Sequence, residues 1–304
     1  MSNEVTISSL SDQLVAAAVS SYFIETFQGS QSLPQHPALA YAGGINGANS
    51  DVIQVVAESL NGYNRMAAFG SETATISNTA LTDTNYQLTV APYGLLRSVG
   101  DGARIVQRRG DPLQRLALDM YFSLVETLIY LVANITNGYI AVQGTSGADM
   151  TLETLLDAHT TLDEARAPAE RLAIMHPHQF GQIRKDALLS IGGAMQWVPA
   201  SPDMINRMGQ GFQGMLGSTA LYTSDHVPSS GGNYLGGLIA RDAVLWGDGV
   251  PPIDPELGDV LIGGRVKIRK YGVPDTILTK TLGSAFLGAR MGVDGRGVTL
   301  RSTT

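Results

Sequence analysis

The chain has 304 residues, 44% of them hydrophobic and 15% charged, with a formal net charge of −7. That is enough apolar content for one elaborate domain or two ordinary ones, and too little net charge for a disordered chain. The absence of cysteine excludes a disulfide framework, a thiolate metal site and a thiol nucleophile; the acidic balance, with lysine only at Lys185, Lys267, Lys270 and Lys280, excludes a chain-wide basic surface for gripping nucleic acid.

Residues 1–64 carry Glu4, Asp12, Glu25, Asp51 and Glu58 and no lysine or arginine, which makes an acidic arm. Ser9 or Ser11 can cap a helix over Asp12 to Phe27 with Leu14, Val15, Ala18, Tyr22 and Phe23 on one side. Pro34, Pro37 and Gly43-Gly44 then interrupt the chain, leaving an extended segment with a poor core of its own. Two readings stay open: a floppy terminus, or a strap that gains order by lying across a neighbouring subunit. The first 21 residues have no basic residue before their apolar part and no convincing cleavage signal, so synthesis in a cytoplasm is expected.

From Thr73 to Pro92 the alternation of Tyr86, Leu88 and Val90 with Gln87, Thr89 and Ala91 predicts strand, and Asp83-Thr84-Asn85 reads as the turn of a hairpin with residues 73–79. Its half-polar faces suit a ribbon that projects into solvent or against a partner. Arg97, Arg104, Arg108 and Arg109 follow as a basic cluster, either a solvated face or a mate for the acidic strap of another copy.

The longest periodic run is Asp111 to Asn137. Asp111 can accept from the first free N–H groups, Pro112 sits where a missing N–H is harmless, and Asn137-Gly138 supplies a left-handed stop. Arg115, Asp119, Ser123, Glu126 and Asn134 form one narrow polar stripe, so most of the helix circumference is expected to be covered by protein. Asp119 and Glu126 would each cost a few kcal/mol at mid-bilayer, which argues against a membrane span.

Beyond it, Thr151 to Ala167 predicts an amphipathic helix, Arg171 to His176 a short strand, and a further helix starts near Pro177. Gly192 to Gly217 reads as a long surface loop. Strands are expected at Thr219 to Thr223, Leu235 to Leu245 and Val260 to Tyr271, where Arg265, Lys267 and Arg269 would put three positive charges on the solvent side. After Leu282, Asp294-Gly295 between two apolar runs signals a terminal hairpin.

Few patterns point to chemistry. Gly209, Gly211 and Gly214 match the letters of a dinucleotide loop but lack the strand-loop-helix context. His176 and His178 can begin a metal site on an extended segment, though Pro177 separates them and no carboxylate or cysteine is near in sequence. His159 and Asp163, four apart on a helix, can make an acid-base pair but lack a third orienting group. No catalytic, cofactor-binding or metal site is therefore expected.

An acidic arm, a ribbon, a long helix, a helix-strand-helix unit and a closing sheet, in that order, resemble the major capsid protein of tailed phages, the α+β fold named after phage Hong Kong 97. Leu172 to Phe180, Ile183 to Asp186, Ser218 to Pro228, Gly236 to Leu245 and Gly283 to Gly288 look like this family. The resemblance implies an N-terminal arm over 1–60, an extended loop over 61–110, a peripheral-domain spine helix within 111–149, an axial domain over 150–255 and a returning peripheral sheet over 256–304. It also implies a virion shell protein rather than an enzyme, assembled in the host cytoplasm from many copies as hexamers and pentamers around double-stranded DNA. A separate scaffolding protein, a portal and a cement protein where one is used would be its partners; it would need no cofactor and would touch DNA only weakly and nonspecifically. No lysine lies between Met1 and Arg184, so the lysine cross-linking of one branch of the family is ruled out and the shell must hold noncovalently. Two alternatives remain: an encapsulin-type nanocompartment shell, and an α/β enzyme using His159, His176 or His178.

Overall fold

The computed structural model describes residues 36–45, 52–58, 83–100, 112–189, 197–202, 204, 211–254, 259–262, 266–273 and 278–304. The helix expected over Asp12 to Phe27, and Arg104, Arg108, Arg109 and Arg265, lie outside them.

In chain order the strands are β1 (Leu39–Ile45), β2 (Val52–Glu58), β3 (Asp83–Thr89) and β4 (Ala91–Gly100), followed by helix α1 (Pro112–Ile135). Then come β5 (Val142–Gln143), α2 (Leu152–Glu164), β6 (Arg171–Met175) and α3 (Pro177–Leu189). The short strands β7 (Trp197–Pro199), β8 (Phe212–Leu216), β9 (Thr219–Thr223) and β10 (Ser229–Ser230) lead to β11 (Asn233–Ala240) and β12 (Val244–Gly249). The chain closes with β13 (Val260–Ile262), β14 (Val266–Val273), β15 (Leu278–Met291) and β16 (Gly297–Thr303).

These strands make an eight-stranded sheet in the order β5-β16-β11-β6-β9-β8-β7 with β10 on β11, a six-stranded sheet in the order β1-β12-β15-β14-β13 with β4 on β15, and a two-stranded ribbon, β2-β3. Strand β6 is buried at all five residues because both faces of its sheet are covered. Leu172 and Ile174 point to one core with Phe212, Tyr222 and Ile239, while Ala173 and Met175 point to a second with Leu155, Leu162, Phe180 and Ile183 of α2 and α3.

Helix α1 joins the sheets. Over 24 residues it spans about 36 Å. Towards its C-terminus, Leu128, Ile129, Val132 and Ala133 recur at one- and four-residue spacing and enter the first core beside Ala38, Leu39, Val244 and Trp246 of the other sheet. Earlier, Met120 lies on β15 over Gly283, where a Cβ would sit 3.1 Å from its sulfur. Among the described residues no helix is long and apolar enough to cross a membrane.

Helices α1, α2 and α3 fall where periodicity puts them, with Thr151 accepting from the Thr154 N–H at the start of α2. Asp111 lies outside the described residues, and Asn137-Gly138 is no left-handed stop: α1 runs into a 3-10 turn over Thr136–Gly138 in which neither residue has a positive φ. Several strand expectations are corrected. Asp83-Thr84-Asn85 is no turn: it is the first part of β3, paired with Glu58, Ala57 and Val56 of β2, while the expected strand over residues 73–79 lies outside the described residues. Alternation marks a strand but does not name its mate. The arm contributes to the core, since β1 pairs in parallel with β12 and Ala38 and Leu39 are buried. Leu235 to Leu245 breaks at Asp242, whose positive φ of 68° turns the chain out of β11 and into β12 in the other sheet. Val260 to Tyr271 divides into β13 and β14, paired antiparallel. The expected loop over 192–217 contains β7 and β8.

Asp294-Gly295 makes a single 3-10 turn and not a hairpin, because β15 and β16 belong to different sheets. Strand β12 likewise lies before residue 255 and joins the six-stranded sheet, whereas β16 lies after 256 and joins the eight-stranded one. The two layers are thus interleaved along the chain.

Candidate functional site

The chain has five histidines and no cysteine, so histidine is the main candidate for acid-base work near neutral pH and for a nitrogen ligand to a metal. The His159 ring is engaged at both nitrogens. Nδ1 lies 2.7 Å from the Arg171 guanidinium, which can only donate, so Nδ1 accepts and Nε2–H is left to donate to Thr219 Oγ1 at 3.1 Å. Arg171, itself buried, also pairs with Asp163. Burial first, and the Arg171 charge second, push the His159 pKa down. His159 and Asp163 therefore act as the counterparts of a buried arginine and not as an acid-base couple.

His176 and His178 do not converge on a ligand. His176 caps α3: its Nδ1 accepts from the His178 N–H at 3.2 Å, while its own N–H donates to Gln179 Oε1 at 3.0 Å. Its ring stacks on Tyr234 at 3.7 Å and 8°. His36 Nδ1 accepts from the Ala38 N–H at 3.1 Å, and burial lowers its pKa to about 4. Of the glycine-rich letters, Gly209 lies outside the described residues, Gly211 immediately precedes β8, and Gly214 lies inside that strand with a positive φ of 133° at a bulge.

The positive strand face is largely neutralised. Arg269 forks onto Asp259 at 2.6 and 2.8 Å, and Lys267 stands 3.8 Å from the same carboxylate while donating to the Pro252 carbonyl. The Arg269 hydrogen bonds hold the enclosed Asp259 carboxyl down at about 2. A three-charge solvent face at Arg265, Lys267 and Arg269 thus becomes, for Lys267 and Arg269, an internal clamp. The sequence held no sign of it, since Asp259 precedes a strand whose own pairing brings it round.

The polar stripe of α1 is also satisfied largely within the chain. Asp119 takes Arg97 of β4 at 2.5 Å, Asn134 donates to the Tyr130 carbonyl, and Glu126 meets His226 Nε2 at 2.7 Å. Arg97 is thus paired inside its own chain.

The β2-β3 ribbon stands outside both larger sheets as a pair of its own. Ile53 and Leu88 root it over Gly247 of β12, where any Cβ would lie within 2.9 Å of both side chains. Arg290 donates to the Gln87 carbonyl at 2.6 Å and sits 6.0 Å from the Tyr86 ring, fixing the same end. Seven paired residues give the ribbon a reach of roughly 20 Å. A two-stranded ribbon buries little by itself and is suited to lie on something else.

This architecture, a long helix across interleaved sheets with a rooted ribbon beside it, is the α+β fold of capsid-type shell subunits. A chain in the capsid of Ralstonia phage GP4 matches with a TM-score of 0.62 at 11% identity, covering 91% of this chain and 90% of that one. A chain of Mycobacterium phage Che8 matches at 0.52 with 13% identity over 83% and 84%. The SrpI encapsulin of Synechococcus elongatus matches at 0.55 with 15% identity over 86% and 84%. No family model matches the chain, and no curated protein is significantly similar to it.

Proposed function

We propose that the chain is the major capsid subunit of a tailed phage, self-assembling without covalent links into an icosahedral head around double-stranded DNA. The observation that carries this reading is a shared fold along nine-tenths of the chain with a phage capsid subunit, and the separate two-stranded ribbon, a unit that is marginal by itself, is in keeping with it. In this reading α1 is the spine of a peripheral domain completed by the six-stranded sheet, and the eight-stranded sheet with α2 and α3 is the axial domain. The acidic residues 1–35 act as the strap. Closed shells need repeated heterologous contacts between identical chains, and straps and ribbons add area that a compact interface lacks. A net charge of −7 suits an inner wall that neutralises few phosphates and lets packaged DNA slide.

The second reading is a nanocompartment shell holding protein cargo, supported by the likeness to an encapsulin. Negative-stain microscopy of the purified full chain tests both: closed particles are expected, with nuclease-protected DNA in particles from infected cells for the capsid, and a co-purifying enzyme for the encapsulin. A monodisperse monomer under all assembly conditions contradicts both.

A further inference from the structure

His226 is the fifth histidine, and it stands apart from the other four in facing two carboxylates. Glu126 lies midway along α1; Asp225 and His226 lie in the loop after β9, about a hundred residues away in sequence. His226 Nε2 is 2.7 Å from Glu126 Oε1 and 4.0 Å from Asp225 Oδ1, and all three donor atoms fall within 4.8 Å of one another. Donors on a four-coordinate zinc, each bonded at about 2.0–2.1 Å, stand about 3.3 Å apart, between these two distances.

The loop is held in place from behind. The Ser224 N–H donates to the Met175 carbonyl at 2.9 Å, the His226 N–H donates to Ser224 Oγ at 3.1 Å, and Val227 is buried. Tyr130, one turn beyond Glu126, meets the imidazole edge-on at 5.6 Å and fixes its plane. Among the described residues, neither carboxylate has a lysine or arginine partner. Two carboxylates converging on one imidazole make an acidic corner that a divalent cation would offset.

We propose that Glu126, Asp225 and His226 bind a divalent first-row transition cation, zinc or its cobalt surrogate, with water completing the coordination. An imidazole nitrogen with two carboxylates suits such a cation better than magnesium or calcium, which take oxygen ligands. Nε2 must lend its lone pair to the metal, so a proton held there is passed to Nδ1 or to solvent on binding. The cation ties α1, which is anchored on both sheets, to the loop of the eight-stranded sheet. The proposal rests on this geometry alone and holds whether or not the chain forms a shell.

The test uses the full chain, stripped with chelator and titrated with Co2+ and Zn2+. One ion per chain is expected, with cobalt absorption bands of a nitrogen-oxygen site and a Tm that rises with Zn2+. His226→Gln and Asp225→Asn should each weaken binding about tenfold or more. All three side chains are at least 32% exposed, so these variants should fold, and circular dichroism verifies it. Absent saturable uptake, equal uptake by the variants, or equally tight binding of Mg2+ would each overturn the proposal.

Discussion

A buried ionisable side chain ties stability to pH, and two residues show opposite chemistry with the same sign. His36 has its pKa lowered to about 4 by burial, so between about 6.5 and 4 the unfolded chain binds more protons than the folded one. Stability present above pH 6.5 is therefore lost as pH falls towards 4, and His36→Asn should flatten part of that slope in a series of Tm measurements. Asp259 is held at about 2 by Arg269, so its contribution persists down to the ordinary carboxylate range and disappears only as pH falls through about 2. Arg269→Met should lower Tm at pH 7 by more than at pH 3, where the stranded Asp259 takes up a proton. Equal losses at the two pH values would show that the guanidinium matters for packing and not for charge. Gly297 is constrained by space: its backbone is extended, but a Cβ would fall 2.2 Å from the Tyr139 ring. Gly297→Ala should destabilise by about 1–3 kcal/mol in urea unfolding, whereas Gly295→Ala, which meets nothing within 4 Å, should be close to neutral.

At the scale of elements, α2 and α1 are held by different means. Helix α2 is amphipathic in the ordinary sense, with Leu155, Ala158 and Leu162 buried against one sheet face. Leu155→Ala should cost about 2–5 kcal/mol through lost burial and the cavity left behind, read as a lowered denaturant midpoint at unchanged slope. Helix α1 touches both sheets, and its polar stripe meets Arg97 and His226 of its own chain. Glu126→Leu should therefore first weaken the link to the loop at Asp225-His226. The ribbon depends on its root: Leu88→Ala removes the contact over Gly247 and should loosen the whole β2-β3 pair, detectable as faster hydrogen exchange in β2 and β3 than in β6.

At the scale of the whole molecule, the shell reading is tested by removing surface and keeping the core. Because β1 and β2 are paired strands, deleting residues 1–60 would damage the sheets themselves. Deleting residues 1–35 leaves those strands intact, and is expected to give soluble subunits or capsomers that fail to close. Closed particles of normal yield from that deletion would remove the strap from the account. With no lysine between Met1 and Arg184, boiled shells should run on a denaturing gel as a single band near 32.2 kDa, with no ladder of linked chains.

The sequence by itself determined helices α1, α2 and α3, because helical hydrogen bonds close within four residues and the signals at Pro112, Thr151 and Pro177 act over the same distance. It also showed the alternation in β3 and the order of parts that resembles a capsid subunit. Which strands pair was decided by the tertiary structure: β3 with β2, β12 and β15 in one sheet, β11 and β16 in the other. The same holds for the partners of charge, Asp259 with Arg269, Asp119 with Arg97, and Glu126 with His226. The physical reason is common to all of them: a strand's backbone groups and a buried charge are satisfied by whatever the rest of the chain brings alongside, and that distance is not written in spacing along the sequence.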